Sequence, residues 1–186
     1  NYGVVGTGTF NNAGELRKVL NTTVVSSPFN PTFNNQATGV VNVNSGTLTV
    51  SGALTQSGTI NVATGATFTK SGGFINSGTL TGTGTISAGL GFDLTNASGG
   101  IIAPGIGLNS TGTLSITGNL QMQVGSTLNI DINGSGSGQF DVLSVTGMAQ
   151  PGGSILNLVG AGGAGSYAVL TATGGGINST TFGTIN

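Results

Sequence analysis

The stretch that decides the fold runs from Gly39 to Ser87 and repeats one phrase. Gly39-Val40-Val41-Asn42-Val43, Gly46-Thr47-Leu48-Thr49-Val50, Gly58-Thr59-Ile60-Asn61-Val62 and Gly78-Thr79-Leu80-Thr81 each set a glycine before alternating polar and aliphatic residues. Alternation of this kind is the period of a half-buried strand. Turn glycines fall at 39, 46, 52, 58, 65, 72, 78 and 84, steps of six or seven residues. Such strands are too short for a meander or sandwich, where turn signals come about every 8–12 residues. Three steps make the larger period: Gly39, Gly58 and Gly78 lie 19 and 20 residues apart. Units of that size cannot bury a core alone and must stack on one another.

The expected fold is therefore all-β: a single-stranded parallel β-helix, or β-solenoid, with three short strands and about 20 residues per coil. Leu48, Val50, Ile60, Val62, Phe68 and Leu80 are expected to point inward. Glycine would supply positive φ at the corners. The chirality of β crossovers predicts right-handed coiling. At that period, 186 residues give roughly nine coils and a rod on the order of 45 Å at ~4.8 Å per coil.

Working outward, the whole chain, 1–186, reads as one solenoid domain. Coils are regular over 39–186, with irregular Gly/Ser loops near 134–138 and 160–165. The part spanning 1–38 is less regular. Its segment 13–20 admits a short helix capped by Asn12, with Glu15 three residues on, or a strand that turns Lys18 inward beside Leu16. The segment 26–38, with Pro28 and Pro31, reads as a loop leaving the coils.

Composition narrows the chemistry. There are 37 glycines, no histidine, cysteine or tryptophan, and seven charged side chains: Glu15, Arg17, Lys18, Lys70, Asp93, Asp131 and Asp141. Metal centres built on His or Cys and Ser-His-Asp or Cys-His nucleophiles are excluded. Three basic residues cannot neutralise a phosphate backbone, so nucleic acid is not an expected partner. Mean hydropathy of +0.28 with net charge −1 sets the chain apart from disordered sequences and predicts an uncharged surface prone to association. No apolar run reaches the ~20 residues of a membrane span, so insertion of this segment is not expected.

The phrase Thr9-Phe10-Asn11-Asn12-Ala13-Gly14, the Gly-Thr-Leu repeats and Gly65-Ala66-Thr67-Phe68 resemble β-solenoid repeats of large bacterial surface proteins, the autotransporter passengers and filamentous-haemagglutinin-like adhesins. The second half is similar in more detail. It reads Gly100-Ile101-Ile102-Ala103-Pro104-Gly105, then Gly112-Thr113-Leu114-Ser115-Ile116-Thr117-Gly118-Asn119-Leu120, then Phe140-Asp141-Val142-Leu143-Ser144-Val145-Thr146-Gly147. The resemblance implies a parallel β-helix, a secreted or cell-surface setting and no particular activity. Family members are usually far longer, so the chain is expected to be a fragment, a processed product or a small relative that acts by assembling.

Candidate sites are few. Asp141 has the parity of Leu143 and Val145, near the inner side or a corner, where a carboxylate caps backbone amides; calcium binding or catalysis is the alternative. Asp131 alternates with Ile130 and Ile132 and is expected to face solvent. It lies 10 residues from Asp141, half a coil, which predicts different faces for the two. β-Helix polysaccharide-cleaving enzymes need clustered carboxylates, so Asp93, Asp131 and Asp141 carry a remote enzyme reading. Thr47/Thr49, Thr67/Thr69 and Thr85/Ser87 recur at 20 and 18 residues and are expected to stack as a lateral column two or three rungs deep. Thr59/Asn61 and Thr79/Thr81 form a second. Such a face binds glycan or ice, or is simply what suits the outside of a strand.

The expected function is a non-enzymatic extracellular rod without cofactor, a block of a bacterial surface fibre, sheath or adhesin stalk that self-associates through open β ends. Glu15, Arg17 and Lys18 guard the N-terminal end, whereas 174–186 carries no charge. An adhesin segment reading glycan or ice through its Thr/Asn face is the alternative.

Overall fold

The computed structural model describes residues 4–19, 26–107, 109–178 and 180–186. It contains 22 strands and no helix among them, and the strands fall into three sheets visited in rotation. Sheet I holds β1 (Thr9–Asn12), β4 (Thr32–Asn35), β7 (Leu54–Gln56), β10 (Phe74–Asn76), β13 (Asp93–Asn96), β16 (Asn119–Met122) and β19 (Ala149–Gln150). Sheet II holds β2 (Glu15–Lys18), β5 (Val40–Val43), β8 (Thr59–Val62), β11 (Thr79–Gly82), β14 (Ile101–Pro104), β17 (Thr127–Ile132), β20 (Ile155–Gly160) and β22 (Thr184–Ile185). Sheet III holds β3 (Ser26–Phe29), β6 (Thr47–Val50), β9 (Thr67–Thr69), β12 (Thr85–Ser87), β15 (Thr113–Thr117), β18 (Val142–Val145) and β21 (Leu170–Ala172). Each strand pairs in parallel with the strand one coil away, as in Thr59↔Thr79 and Thr67↔Thr85. This is a parallel β-helix with three strands per coil.

The alternation read from the sequence is what the sheets bury. Along most strands, inward residues are buried and outward ones half-buried. Inward side chains then stack coil on coil: Leu48, Phe68, Ile86 and Ile116 in sheet III, and Val41, Ile60, Leu80, Ile102, Leu128 and Leu156 in sheet II. Filling the prism from all three sides removes this surface from water, the main stabilising term available to so uncharged a chain. At the N-terminal end the stack closes on three packed rings, with Phe29 lying 5.3 Å from Phe10 and 4.8 Å from Phe33 between centroids.

Coil length is not constant. It is 18–22 residues through the middle, as from Thr67 to Thr85 and Thr79 to Ile101, and 26–30 later, as from Asp93 to Asn119 and Thr85 to Ser115. The extra residues leave the strands in the excursions 105–112, 133–141 and 161–169. The expected nine coils therefore become seven circuits and a partial eighth, in which Ile177 bridges Ala149 and β22 pairs with β20. At ~4.8 Å per coil the stack is on the order of 35 Å long.

Two N-terminal expectations are corrected. The segment 13–20 is not a helix: Glu15 to Lys18 pair in register with Val40 to Val43, and Leu20 lies outside the described residues. Lys18 does turn to the Leu16 side, but among the described residues β2 ends its sheet, and the side chain stays half-buried. The segment 26–38 is not a loop leaving the coils. β3 and β4 lie in register with β6 and β7, and Pro28 sits opposite Thr49. Proline is tolerated because β3 is the last strand of sheet III, where a missing N–H breaks no central ladder. The Pro28 carbonyl still accepts from Val4 N–H at 3.0 Å.

One inner column is polar. Asn12, Asn35, Gln56, Asn76 and Asn96 follow one another down the inside of sheet I, each at most 5% exposed. Asn12 Nδ2 donates to Asn35 Oδ1 at 2.8 Å, Asn35 Nδ2 to Gln56 Oε1 at 2.8 Å, and Asn76 Nδ2 to Asn96 Oδ1 at 2.7 Å. Spare amide hydrogens satisfy turn carbonyls, such as Gly58 O from Gln56 at 2.8 Å and Gly100 O from Asn96 at 3.1 Å. Buried polar groups are tolerated when partnered this fully.

Candidate functional site

Sheet III carries the threonine face. Thr47, Thr67 and Thr85 are register partners, as are Thr49, Thr69 and Ser87. The first column continues through Ser26 at one end and Ser115, Ser144 and Thr171 at the other, seven rungs in all. The second runs through Thr49, Thr69, Ser87 and Thr117, with Pro28 beside Thr49. Its depth was hidden in the sequence because the coil lengthens to 30 residues between Thr85 and Ser115, which breaks the fixed spacing. These side chains are half-buried, with hydroxyls on a parallel sheet at the ~4.8 Å strand spacing. The array offers repeated donors and acceptors to an extended polar ligand or to ordered water. Sheet II brings Thr59 beside Thr79 and Asn61 beside Thr81, but Ile101 and Ala103 follow them, so that column turns apolar.

The carboxylates are placed differently from expectation. Asp141 caps backbone amides, as its parity suggested: Oδ1 accepts from Gly112 N–H at 2.7 Å and Oδ2 from Asp131 N–H at 2.9 Å. It is 1% exposed. Asp131 does not face solvent; it is buried and lies beside Asp141 rather than on another face. The nine intervening residues are not half a coil but a loop that doubles back, with Ile132 and Phe140 forming an antiparallel bridge and Asp141 N–H donating to Asp131 O at 2.9 Å. Asp93 stands on the outer side of sheet I and is committed to amides, accepting from Asn119 at 3.0 Å and Gln121 at 2.6 Å. Each Asp141 oxygen is likewise engaged by a backbone amide. Lys70 donates to the adjacent Ser71 carbonyl at 3.0 Å. Among the described residues no three His, Cys, Asp or Glu side chains gather as a metal centre.

Burial pushes the Asp141 carboxyl up to about 6. The amides of Asp131 and Gly112 oppose the rise, and the charge of Asp131 adds to it. A raised carboxylate makes the ionised fold costly above pH 6, and the cost is relieved as pH falls from 6 towards the ordinary value of 3.8. Two units correspond to about 3 kcal/mol. The chain is therefore expected to gain stability between pH 7 and pH 4, measured as a rising urea midpoint, and Asp141→Asn to flatten that rise. Glu15, held low by hydrogen bonds from Arg17 and Asn42, withdraws its contribution as pH falls through 4.5 and so opposes the rise at the acid end of that range.

Beside the two aspartates, outside sheet II, lies a recess of about 310 Å³ between Thr81, Pro104, Asn129, Asp131, Asp141 and Asn157. Sequence reasoning missed it because it needs Gly107, in the excursion after β14, to come beside residues of β17 and β20. It also missed the buried amide column, whose signal is Asn or Gln two to four residues before the corner glycine, as in Gln56-Ser57-Gly58 and Asn76-Ser77-Gly78. No family model, curated protein or solved structure matches this chain.

Proposed function

We propose that the chain is a non-enzymatic structural β-solenoid, a building block of a bacterial surface fibre, sheath or adhesin stalk, which associates through the end faces of its stack. The observation that carries this reading is the last coil. β21 and β22 each have one sheet neighbour among the described residues. Around them Tyr167, Val169, Leu170, Ile177, Phe182 and Ile185 line an open groove of about 390 Å³. Ile177 is 50% and Ile185 64% exposed, and no charged residue follows Asp141. Unpaired edges over apolar side chains, with no charge to repel a neighbour, are a template for a further coil. The opposite end has its own apolar recess between Val4, Leu16, Phe29 and Leu48, flanked by Arg17 and Lys18. A head-to-tail contact continues the parallel stack and stays open to growth. The surface setting rests on the likeness of the 100–147 stretch to bacterial passenger repeats and on the near-absence of charge.

Sedimentation velocity of the 186-residue chain over a concentration series tests this. Concentration-dependent association is expected, and Ile185→Lys is expected to suppress it. A strictly monomeric wild type at high concentration removes the assembly reading.

A second reading is favoured by one observation, the seven-rung hydroxyl column of sheet III. In it the rod displays a lateral face to glycan or ice. A glycan array and an ice-affinity assay, repeated with Thr67→Val and Thr85→Val, separate it from the first.

A further inference from the structure

The Asp131 side chain has no hydrogen-bond partner among the described residues. The residue is only 9% exposed, and it is its backbone, not its carboxylate, that makes the hydrogen bonds. Its backbone serves Asp141 instead: the N–H donates to Asp141 Oδ2 and the carbonyl accepts from Asp141 N–H. The nearest charge is thus a second carboxylate, and no Lys or Arg lines the recess. The Asp131 oxygens are not sealed from water but open onto the recess, where the protein sets no cationic side chain against them, so they are free to take a cation.

What the recess does supply is neutral oxygen. The Asn129 and Asn157 side chains stand in register on β17 and β20, with Asn157 Nδ2 donating to Asn129 Oδ1 at 3.2 Å. This leaves Asn157 Oδ1 uncommitted among the described residues. The Thr81 hydroxyl donates to Gly105 O at 3.1 Å and keeps its lone pairs for the recess. A carboxylate, amide oxygens and a hydroxyl around about 310 Å³ form a hard, all-oxygen donor set with room for several waters, each taking about 30 Å³. We infer that this recess binds a divalent cation of the calcium type, anchored on the Asp131 carboxylate and completed by Asn129, Asn157, Thr81 and retained water. Calcium is favoured over magnesium because it accepts six to eight oxygens in irregular geometry, carbonyls included, whereas magnesium demands a near-ideal octahedron. Asp141 contributes charge at short range, while its oxygens stay on the two amides that hold the loop in place.

Isothermal titration of the full chain, freed of metal with EDTA, tests this with calcium chloride and, separately, magnesium chloride. Calcium is expected to bind with a Kd on the order of 10⁻⁴–10⁻³ M, the range of extracellular modules, and magnesium at least tenfold more weakly. Asp131→Asn is expected to weaken calcium at least tenfold with an unchanged far-UV spectrum, since its carboxylate supports no protein contact. Asp93→Asn is expected to bind as the wild type does. Should Asp131→Asn fail to fold, Asn157→Ala is read in its place, with at least threefold weaker binding expected. Absence of calcium binding by the wild type up to 10 mM overturns the site, as does undiminished binding by the folded variant.

Discussion

Gly78→Ala is expected to cost about 3 kcal/mol or more and to blunt the cooperativity of unfolding, although it adds a single methyl group. A Cβ at residue 78 would lie 2.0 Å from the Gly58 carbonyl oxygen and 2.6 Å from the Ser57 carbonyl group. That oxygen already accepts Thr79 N–H at 2.8 Å, so the methyl group can be accommodated only by prising two coils apart at a ladder bond. Overpacking costs ~1–3 kcal/mol when side chains can shift, and a stretched backbone bond adds to it. Since each coil touches only its neighbours, a weak interface in mid-stack also lets the two halves open separately. Gly65→Ala is the control. Gly65 has φ +75° and open space around its absent Cβ, so only the backbone cost of about 1–2 kcal/mol applies. Urea unfolding followed by circular dichroism reads both the midpoint and the slope.

Asn76→Ala is expected to destabilise by about 3–5 kcal/mol, as much as deleting a core phenylalanine. The Asn76 side chain donates to Asn96 Oδ1 at 2.7 Å and Gly78 O at 3.0 Å, and accepts from Gly78 N–H at 3.2 Å, with no exposure of the residue. Truncation leaves these groups buried and unpaired, each at a cost of about 1–3 kcal/mol, and adds a small void. Asn34→Ala deletes an amide bond of similar length, to Asn11 at 2.9 Å, but on the exposed side of sheet I. Its expected cost is within about 0.5 kcal/mol. The contrast separates an inner amide column that holds the corners from outer amides that merely decorate a strand.

The corner glycines show why the fold was legible and part of its reason was not. Their spacing gave the three-strand coil, because alternation and six-to-seven-residue steps are local properties. Their role was read as positive φ, and that holds at Gly46, Gly65 and Gly72. Gly39, Gly58 and Gly78 are glycine for another reason. They pass so close to the preceding coil that a Cβ would lie 2.0–2.3 Å from its carbonyl oxygen. That is a contact between coils, which no single phrase reveals. The same limit hid the depth of the threonine face beyond Ser87 and the meeting of Asp131 with Asp141. Both depend on how many residues leave the strands in each excursion, and loop length changes without disturbing the alternation. The proline segment misled because Pro28 lies at a sheet edge, where proline's missing donor costs no central pairing.

The most direct test of assembly is negative-stain microscopy of the 186-residue chain at high concentration, beside Ile185→Lys. Wild type is expected to form filaments one solenoid wide and many times longer than the ~35 Å stack, and the charged variant to remain as short rods. Short single rods in both samples, at every concentration, would contradict it.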